Sequence, residues 1–324
     1  MRHPGRSDGS NRVTLADVAV AAGVSTASVS RALARPDRVS AALAARVKAV
    51  ASALRYVPNA AARSLSSLHS REVAVLVGDL PHYASPVDAA IGRLLQAGWA
   101  VSIARFDREP GPGSALQAAL ERDVEGVLLL GGAPSGQAAS ALAERRVPWV
   151  ALCAQGAEAD IAIDLAPAMR ALAHHLRSLG HRRATCLIDS RGNGAGWPGA
   201  AAALGAGGIE VSFSCLADVS AEPVRRWPTA IVCADDLSAL EAVRAGELRG
   251  IAIPEAVSVI GCGNQPFSAL TSPPLTTVDI PWRAAGEAAA ASLLAWHEQR
   301  QAQAVTLTAK LVVRRSCGPA RSFT

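Results

Sequence analysis

A glycine set inside a helical sequence pattern constrains the fold of this chain more than any other feature. Residues 13–33 read VTLADVAVAAGVSTASVSRAL. Before the glycine, apolar residues recur at the spacing of one face of an amphipathic helix: Leu15, Val18, Ala19 and Ala22. Gly23 accepts the left-handed backbone that ends a helix. The pattern therefore predicts a short helix that stops at Gly23.

A second helix is predicted directly after this stop. Thr14 can cap the first helix, with Asp17 in the place of the usual glutamate of a capping box, and Ser25 can cap a helix that runs to about Leu33. Val29 faces one side of that helix, and the opposite face is small, polar and cationic: Thr26, Ala27, Ser30 and Arg31. Helix, tight turn and helix occur both in DNA-binding domains and in ordinary helical packing.

A third helix completes this small domain. Ser40 can cap the run SAALAARVKAVASALRY, and Pro58 stops it. Its apolar positions can close a three-helix core: Leu43, Val47, Val50 and Leu54. The segment NAAARSLSS follows, and with eight or nine residues it is shorter than the roughly 12 to 15 that an isolated helix needs in water.

Residues 13–65 resemble the N-terminal region of the lactose/galactose repressor (LacI/GalR) family of bacterial transcription regulators, without a gap. Shorter similarities continue through the chain, in RSLGHRRA, CADDLSALEAVR, VSVIGCGN, SPPLTTV and LVVRRS. The resemblance implies a regulator that binds a near-palindromic operator in double-stranded DNA as a homodimer and responds to a small metabolite. It also implies a periplasmic-binding-protein-like second domain of two lobes with an effector cleft between them.

The charge distribution is typical of a DNA-binding head on a separate body. Residues 1–71 hold eleven Lys and Arg against three Asp and Glu, a net charge of +8, whereas the other residues have a net charge of −3. Clustered cations bind duplex DNA largely through the release of counterions from its phosphates. A solvated basic face without function is the alternative.

The body of the chain reads as an α/β domain. Short runs rich in Val, Ile and Leu alternate with helix-length Ala and Leu segments, a pattern typical of parallel sheets between helices. We therefore expect an α helix-turn-helix head and an α/β periplasmic-binding-protein-like effector domain of two Rossmann-like lobes.

The predicted boundaries follow from these patterns. We expect a flexible basic tail at 1–12, a helix-turn-helix DNA-binding domain at 13–58, a hinge helix and linker at 59–72, and an effector-binding and dimerisation domain at 73–324. The resemblance implies three crossings between the lobes, near residues 162, 280 and 303. Lobe one then holds about 73–162 and 281–302, and lobe two about 163–280 and 303–318.

The resemblance implies which residues contact DNA. The second helix would enter the major groove, with Arg31 reaching a base or a phosphate. NAAARSLSS would form a hinge helix in the minor groove, with Leu65 wedged between base pairs. The candidate DNA-binding residues are Thr14, Ser25, Thr26, Ala27, Ser28, Ser30, Arg31, Asn59, Arg63 and Leu65.

The effector cleft departs from the family pattern. Gly196 stands where the family often has an arginine, and Asp236 matches an acidic contact of the family. An effector with hydroxyl or amine donors, such as a sugar-like molecule, suits a carboxylate anchor. The candidate effector-binding residues are Asp236, Trp197, Arg191 and Tyr83, of which Trp197, Arg191 and Tyr83 could equally pack within the fold.

Other chemistries find little support in the sequence. The three histidines at 174, 175 and 181 lack further metal ligands, and RGNGAGWPG lacks the spacing of a phosphate-binding loop. Adjacent residues at a strand end point in different directions, so Asp235 and Asp236 do not suit paired acid and base catalysis. We expect no enzyme activity, no cofactor and no bound metal.

The N-terminal residues and the cysteines are also consistent with a DNA-binding regulator of the cytoplasm. The first twelve residues are polar and basic, unlike a secretory signal, and no run reaches membrane-spanning length. The six cysteines lack paired spacing and are expected as buried free thiols of a cytoplasmic protein. The function expected is therefore a DNA-binding transcriptional repressor under metabolite control. The alternative is a regulator whose second domain answers to a protein partner or has lost its effector.

Overall fold

The computed structural model of this 324-residue chain describes residues 13–34, 36–56, 70–78, 80–106, 113–153, 159–188, 197–299 and 304–321. The chain divides into two compact units, Met1–Ser70 and Arg71–Thr324. The first unit contains the predicted helix-turn-helix, and the second contains the predicted α/β lobes.

Three helices form the described part of the first unit. They are α1 (Leu15–Ala22), α2 (Thr26–Ala34) and α3 (Ala41–Ala53), with a 3-10 turn at Pro36–Arg38. Val18, Val29 and Val47 are fully buried where the three helices meet, and small alanines allow the helices to approach closely. The predicted core residues Leu43, Val50 and Leu54 pack against this centre but are only partly buried.

The helix ends follow the predicted capping chemistry. Thr14 and Asp17 form a complete capping box, in which the backbone N–H of each residue donates to the side chain of the other. Gly23 ends α1 with φ 62°, in the left-handed region. The Oγ of Ser25 accepts from the N–H of Ser28 at 3.2 Å, and the Oγ of Ser40 accepts from the N–H of Leu43 at 3.3 Å.

Two six-stranded sheets form the second unit. Sheet one has the order β11-β5-β4-β3-β1-β2, and sheet two has the order β12-β10-β9-β8-β6-β7. Every pairing is parallel except that of β12 with β10. Sheet one comprises β1 (Glu72–Val77), β2 (Ala100–Arg105), β3 (Gly126–Leu130), β4 (Trp149–Cys153), β5 (Ile161–Asp164) and β11 (Val305–Thr308). Sheet two comprises β6 (Arg183–Leu187), β7 (Glu210–Ser214), β8 (Ala230–Cys233), β9 (Ser258–Cys262), β10 (Thr276–Asp279) and β12 (Lys310–Val312).

Helices cover both faces of each sheet, which confirms the predicted fold class. The central strands β3 and β9 are buried along their whole length, so apolar side chains are required on both faces. On sheet one, α4 and α11 cover one face while α5 and α6 cover the other. The second unit's helices are α4 (Leu80–Gln96), α5 (Ala115–Glu121), α6 (Gly136–Glu144), α7 (Ala166–Ser178), α8 (Trp197–Ala206), α9 (Leu216–Ala221), α10 (Asp236–Leu248) and α11 (Trp282–Gln299).

The chain passes between the lobes at three places. The first crossing follows Asp164, and the second lies at 280–281, between β10 and α11. The third lies at Ala309 and not near residue 303, because β11 pairs with β5 of sheet one before β12 pairs with β10 of sheet two. Residues 304–308 therefore belong to lobe one. The run VTLTAKLVV reads as one continuous strand in sequence, and only its partners divide it.

Candidate nucleic-acid interface and ligand site

One face of α2 presents the residues predicted to read DNA. Thr26, Ala27 and Arg31 are exposed, whereas Val29 on the opposite side has no exposed surface. Ser28 and Ser30 are half-buried beside them. Apart from Arg31, the side chains on this face are short, so a flat surface such as the floor of a DNA groove can approach the helix closely.

Several of the predicted hydroxyls also serve the fold. The hydroxyl of Thr14 donates to Oδ2 of Asp17 at 2.8 Å, and Ser25 and Ser28 share a bond of 2.9 Å between their Oγ atoms. These side chains fix the first turns of α1 and α2. Within the described part of the chain, Thr26 and Arg31 have no side-chain hydrogen bond or ion pair of their own, which leaves both side chains available to a ligand.

The electrostatics of the first unit favour an anionic partner. Five exposed cations have no carboxylate partner among the described residues: Arg31, Arg38, Arg46, Lys48 and Arg55. The carboxylate of Asp17 accepts hydrogen bonds from the backbone N–H and the hydroxyl of Thr14. These bonds lower the pKa of Asp17 below its ordinary 3.8. Exposed cations of this kind neutralise phosphates and give salt-dependent binding.

Four predicted residues lie outside the described residues: Asn59, Arg63 and Leu65 of the hinge segment, and Arg191. Trp197 begins α8, but its side chain also lies outside the description. Their roles remain predictions.

Asp236, which is predicted as an effector contact, is buried and bonded inside lobe two. It opens α10 and has no exposed surface. Its Oδ1 accepts from the hydroxyl of Thr277 at 2.5 Å, and its Oδ2 accepts from the backbone N–H of Gln265 at 2.6 Å. It lies directly against Gly261, where any Cβ would overlap the carboxylate. Asp236 therefore ties α10, β9 and β10 together, because both of its oxygens are used inside lobe two.

A polar network extends from this carboxylate. Arg314 donates to Oδ1 of Asn264 at 2.7 Å and to the carbonyl of Leu275 at 2.7 Å, and Asn264 donates to Asp279 at 3.2 Å. Burial raises the pKa of Asp236 above its ordinary 3.8, opposed by the bonds from Thr277 and Gln265 and by the charge of Arg314. Asp235 caps α10 through the N–H of Ser238 at 2.6 Å. The two adjacent carboxylates therefore stabilise different parts of lobe two, one as a helix cap and the other inside the polar network.

Two aromatic rings pack together where the second lobe crossing meets α11. The rings of Tyr83 and Trp282 are 5.1 Å apart in an edge-to-face arrangement. Gly131, with φ 105°, makes room for the Tyr83 ring, since a Cβ there would lie 2.9 Å from its Cε2. Sequence reasoning named Tyr83 but missed Trp282. The signal was an aromatic residue two positions after the predicted crossing at 280.

Three of the six thiols are buried in the core. Cys186, Cys233 and Cys262 are buried and free, and burial raises the pKa of Cys186 to about 12. Cys153, Cys215 and Cys317 are free but only partly buried, so the prediction of burial holds for half of them. In the described part of the chain no cluster of His, Cys, Asp and Glu is suited to hold a metal ion, and no helix there is long and apolar enough to cross a membrane.

One surface feature was missed by the sequence reasoning. Leu237, Leu240 and Leu248 lie on one side of α10 and are 46%, 37% and 71% exposed. In the same lobe Leu270 is 84% exposed. The exposed Glu241 and Arg244 share this side of the helix with the leucines, so it is a mixed face with three solvent-exposed aliphatic side chains, which are candidates for a protein contact. In the sequence these three leucines recur at i, i+3 and i+11, which is the spacing of one side of a helix.

Comparison with known families agrees with this architecture. Residues 14–59 match the model for bacterial regulatory proteins of the lacI family. Residues 173–317 match the model for a periplasmic binding protein-like domain. The two matches fall on the helix-turn-helix unit and on the second unit, respectively.

Individual proteins are similar over nearly the whole chain. The chain is 28% identical to the HTH-type transcriptional regulator DegA of Bacillus subtilis (strain 168), over 95% of this chain and 99% of that protein. It is 29% identical to the HTH-type transcriptional repressor PurR of Serratia proteamaculans (strain 568), over 94% of this chain and 96% of that protein.

Solved structures show the same arrangement of elements. The lac repressor dimer bound to operator and the anti-inducer ONPF matches with a TM-score of 0.80 and 26% identity, over 94% of this chain and 99% of that one. A complex of the transcriptional regulator CelR with cellobiose matches with a TM-score of 0.64 and 27% identity, over 94% and 100%. The chain therefore joins a helix-turn-helix unit of the lacI family to a periplasmic-binding-protein-like unit, and it is similar over nearly its whole length to regulators of the LacI type.

Proposed function

We propose that this protein is a transcriptional repressor that binds a near-palindromic DNA operator as a homodimer and is controlled by a small metabolite. The observation that carries the proposal is the exposed face of α2, where Thr26, Ala27 and Arg31 stand free within a family helix-turn-helix. The similarity to DegA, to the repressor PurR and to the operator-bound lac repressor supports it.

The chemistry of α2 suggests how an operator is read. Arg31 can donate two bonds to the O6 and N7 of a guanine or reach a phosphate. Thr26 and Ala27 offer methyl groups to thymine and make no bidentate pair with a base. DNA shape therefore contributes part of the sequence preference. Asn59, Arg63 and Leu65 are proposed as a second contact in the minor groove, on the family resemblance alone.

The exposed leucines of α10 support the homodimer. A helix face carrying Leu237, Leu240 and Leu248 is stabilised when a second copy covers it. The lac repressor structure with which this chain shares its fold is itself a dimer. Two copies present two α2 helices to one duplex, which accounts for a two-fold symmetric site.

The metabolite is proposed to bind between the two lobes of the second unit. The CelR structure contains cellobiose, and a neutral sugar-like effector fits the proposal for this chain as well. Tyr83 is half-buried beside Trp282 and supplies an aromatic surface for stacking. Asp236 is left out of the proposed contact set because both of its oxygens are bonded inside lobe two. Arg191 and Trp197 remain proposed contacts.

The commitment of Asp236 to the fold favours the second candidate, a regulator that has lost its effector or answers to a protein partner. In either case we propose a regulator that acts on DNA in the cytoplasm and has no enzyme activity. A thermal-shift panel of neutral mono- and disaccharides separates the two candidates. A rise in Tm that saturates with one sugar supports the metabolite, and a panel without any shift favours the second candidate.

Selection of binding sites from random duplex DNA tests the main proposal. A two-fold symmetric consensus is expected, and affinity for it should fall steeply between 50 and 200 mM salt, by about a thousandfold or more when six or more phosphates are contacted. A consensus without two-fold symmetry contradicts the homodimer. The absence of any consensus contradicts the proposed function itself.

A further inference from the structure

Arginines are concentrated at one edge of sheet two. The strands of this sheet are parallel apart from β12, so their N-terminal ends lie together, and the lobe crossings lie at the opposite edge, where β10 ends and β12 begins. Eight arginines lie in the strand starts, helix ends and turns of this edge, which we call the distal edge: Arg177, Arg182, Arg183, Arg225, Arg226, Arg249, Arg315 and Arg321. Four glutamates lie among them: Glu210, Glu222, Glu247 and Glu255. The distal edge is therefore basic, although residues 72–324 carry a net charge of −3.

Hydrogen bonds place several of these side chains next to one another. Arg226 pairs with the carboxylate of Glu222 at 3.4 Å, and Arg249 donates to the backbone carbonyl of the same glutamate at 2.8 Å. Arg321 donates to the carbonyl of Trp227, the residue after Arg226, at 2.6 Å. The turn before β8 therefore brings together arginines of three separate segments.

The C-terminal segment connects this turn to the start of β6. The N–H of Ala320, directly before Arg321, donates to the carbonyl of Leu179 at 2.7 Å. Arg182 lies just beyond Leu179, and Arg183 is the first residue of β6. The arginines before β8 and those at β6 therefore lie on one continuous surface.

Four arginines of the distal edge are available to a partner. Each is exposed and has no side-chain hydrogen bond or ion pair with another described residue: Arg182, Arg183, Arg225 and Arg315. A guanidinium offers a planar fork of donors that matches a carboxylate or a phosphate. Strand starts and short turns fix the backbones of these residues, so the surface offers anion-binding groups at defined positions.

An open cavity lies at the same edge, between α10 and the loops that precede β9 and β10. Its volume is about 500 Å³. Five apolar residues form part of its wall: Val243, Ile251, Ile253, Pro254 and Pro273. Arg315 also lines the cavity, together with Glu247 and Glu255. A concave apolar wall beside an exposed arginine suits an apolar side chain whose neighbours in sequence are acidic.

The arginines and the cavity follow a line across sheet two. Arg183 belongs to β6, Arg225 precedes β8, and Arg315 follows β12. Four strand spacings separate β6 from β12, or about 19 Å. An extended segment of about six residues covers this distance. One short peptide segment can therefore contact these arginines and the cavity together.

We propose that the distal edge docks an acidic, extended segment of a partner protein. The carboxylates of this segment pair with Arg182, Arg183, Arg225 and Arg315, and one of its apolar side chains enters the cavity. The inference rests on the second candidate of the proposed function, a regulator that answers to a protein partner, and gives that partner a defined chemistry.

The composition of the distal edge favours a polypeptide over a nucleic acid. The four glutamates between the arginines repel a phosphate backbone, and such a backbone has no apolar group to fill the cavity. Protein interfaces, by contrast, combine arginines with apolar side chains that are seated in pockets. Nucleic acid, an anionic membrane and a second copy of this chain are the other occupants that the experiments distinguish.

The first experiment measures binding of a fluorescent peptide to the full chain by anisotropy, at about 150 mM salt. The probe has about nine residues, glutamates with one central leucine. Arg182→Glu combined with Arg225→Glu should weaken its binding about tenfold or more, because like charges then face the carboxylates. The corresponding double alanine variant should show a smaller loss. Equal binding by wild type and the charge-reversed variant overturns the proposal.

The matched control reverses the same number of charges in the first unit, which is the rival cationic surface. Arg38→Glu combined with Arg46→Glu should leave peptide binding within about twofold of wild type. It should weaken binding to the duplex selected from random DNA, which the distal-edge variant should bind as wild type does. Peptide binding that is lost in the control and kept in the distal-edge variant assigns the peptide to the first unit and overturns the inference.

The second experiment tests the cavity and the other occupants. Replacing the leucine of the probe by alanine should weaken binding about tenfold, because less apolar surface is buried. Equal binding of the two peptides overturns the role of the cavity. Random-sequence duplex and phosphatidylserine vesicles are measured in parallel with wild type and the distal-edge variant. A loss of duplex or vesicle binding in that variant, with peptide binding unchanged, overturns the polypeptide partner.

Sedimentation separates the distal edge from the homodimer. The charge-reversed distal-edge variant should have the same mass in solution as wild type, and a lower mass would make the edge a contact between copies and overturn the inference. The proposed function is tested separately by selection. If selection returns no consensus while the peptide binds as expected, the operator proposal fails and the docking surface stands. If selection succeeds and wild type does not bind the peptide, the docking surface is refuted alone.

Discussion

The hydroxyl of Thr277 donates a hydrogen bond to Oδ1 of Asp236 over 2.5 Å, which joins β10 to the first turn of α10. Neither residue has any exposed surface. Because the N–H of Gln265 donates to the other oxygen at 2.6 Å, one buried carboxylate holds three segments of lobe two. A carboxylate that resembles a family ligand contact is here part of the framework of the lobe.

Replacing this carboxylate by an amide should destabilise the protein. Asp236→Asn keeps an acceptor oxygen for the N–H of Gln265, and the Thr277 hydroxyl must then turn to accept from the new NH2 group, so both bonds to a charged carboxylate are lost. The free energy of unfolding should fall by about 1 to 3 kcal/mol, since hydrogen bonds to charged groups contribute more than neutral ones. Urea denaturation measures it, with Asp88→Asn as the control, since the Asp88 side chain is 81% exposed. A stability equal to that of wild type would show that the network is dispensable.

Two glycines in the α4 and α11 pair should respond in opposite ways to alanine. Gly286→Ala forces a Cβ against the carbonyl of Pro86, and such overpacking costs about 1 to 3 kcal/mol. Gly92→Ala adds a Cβ to α4 with nothing within 4 Å, and the better helix propensity should stabilise by up to about 1 kcal/mol. Thermal unfolding of both variants provides the comparison. Loss of stability in Gly92→Ala alone would contradict the close approach of the helices.

Arg31 should matter for DNA sequence and not only for charge. Arg31→Ala should weaken binding to the selected duplex by about 1 to 3 kcal/mol and relax the preference at one base position if Arg31 reads a base. Arg170→Ala, an exposed arginine of the second unit, is the matched control and should bind as wild type does. A uniform loss across all sequences would place Arg31 on a phosphate.

The capping box of α1 should give the first unit a defined pH dependence. The pKa of Asp17 is lowered from its ordinary 3.8 by its bonds with Thr14, so its carboxylate form is favoured in the folded state. Its stabilising contribution is complete above pH 3.8 and is lost as the pH falls through the lowered pKa. Protection of the α1 amides from hydrogen exchange should therefore differ between wild type and Asp17→Asn at pH 7 and converge at low pH. A constant difference would contradict this role.

The sequence by itself determined where the helices of the first unit begin and end. Gly23, Ser25 and Ser40 act through bonds to residues within a few positions, so helix starts and stops follow from local chemistry. The exposed face of α2 followed for the same reason, because Val29 fixes which side of the helix is buried. The alternation of strands and helices likewise predicted two α/β lobes.

Only the tertiary structure decided which contacts form between residues that are far apart in the sequence. Asp236 and Thr277 are 41 positions apart, so the sequence could suggest a ligand contact but could not show that the carboxylate is already bonded. The third crossing at Ala309 depends on β5 and β10 as the partners of two adjacent strands. The meeting of Arg71, Trp99 and His297 depends on how α11 lies on sheet one. Contacts of this kind arise when packing brings separate segments together, and no spacing along the chain records them.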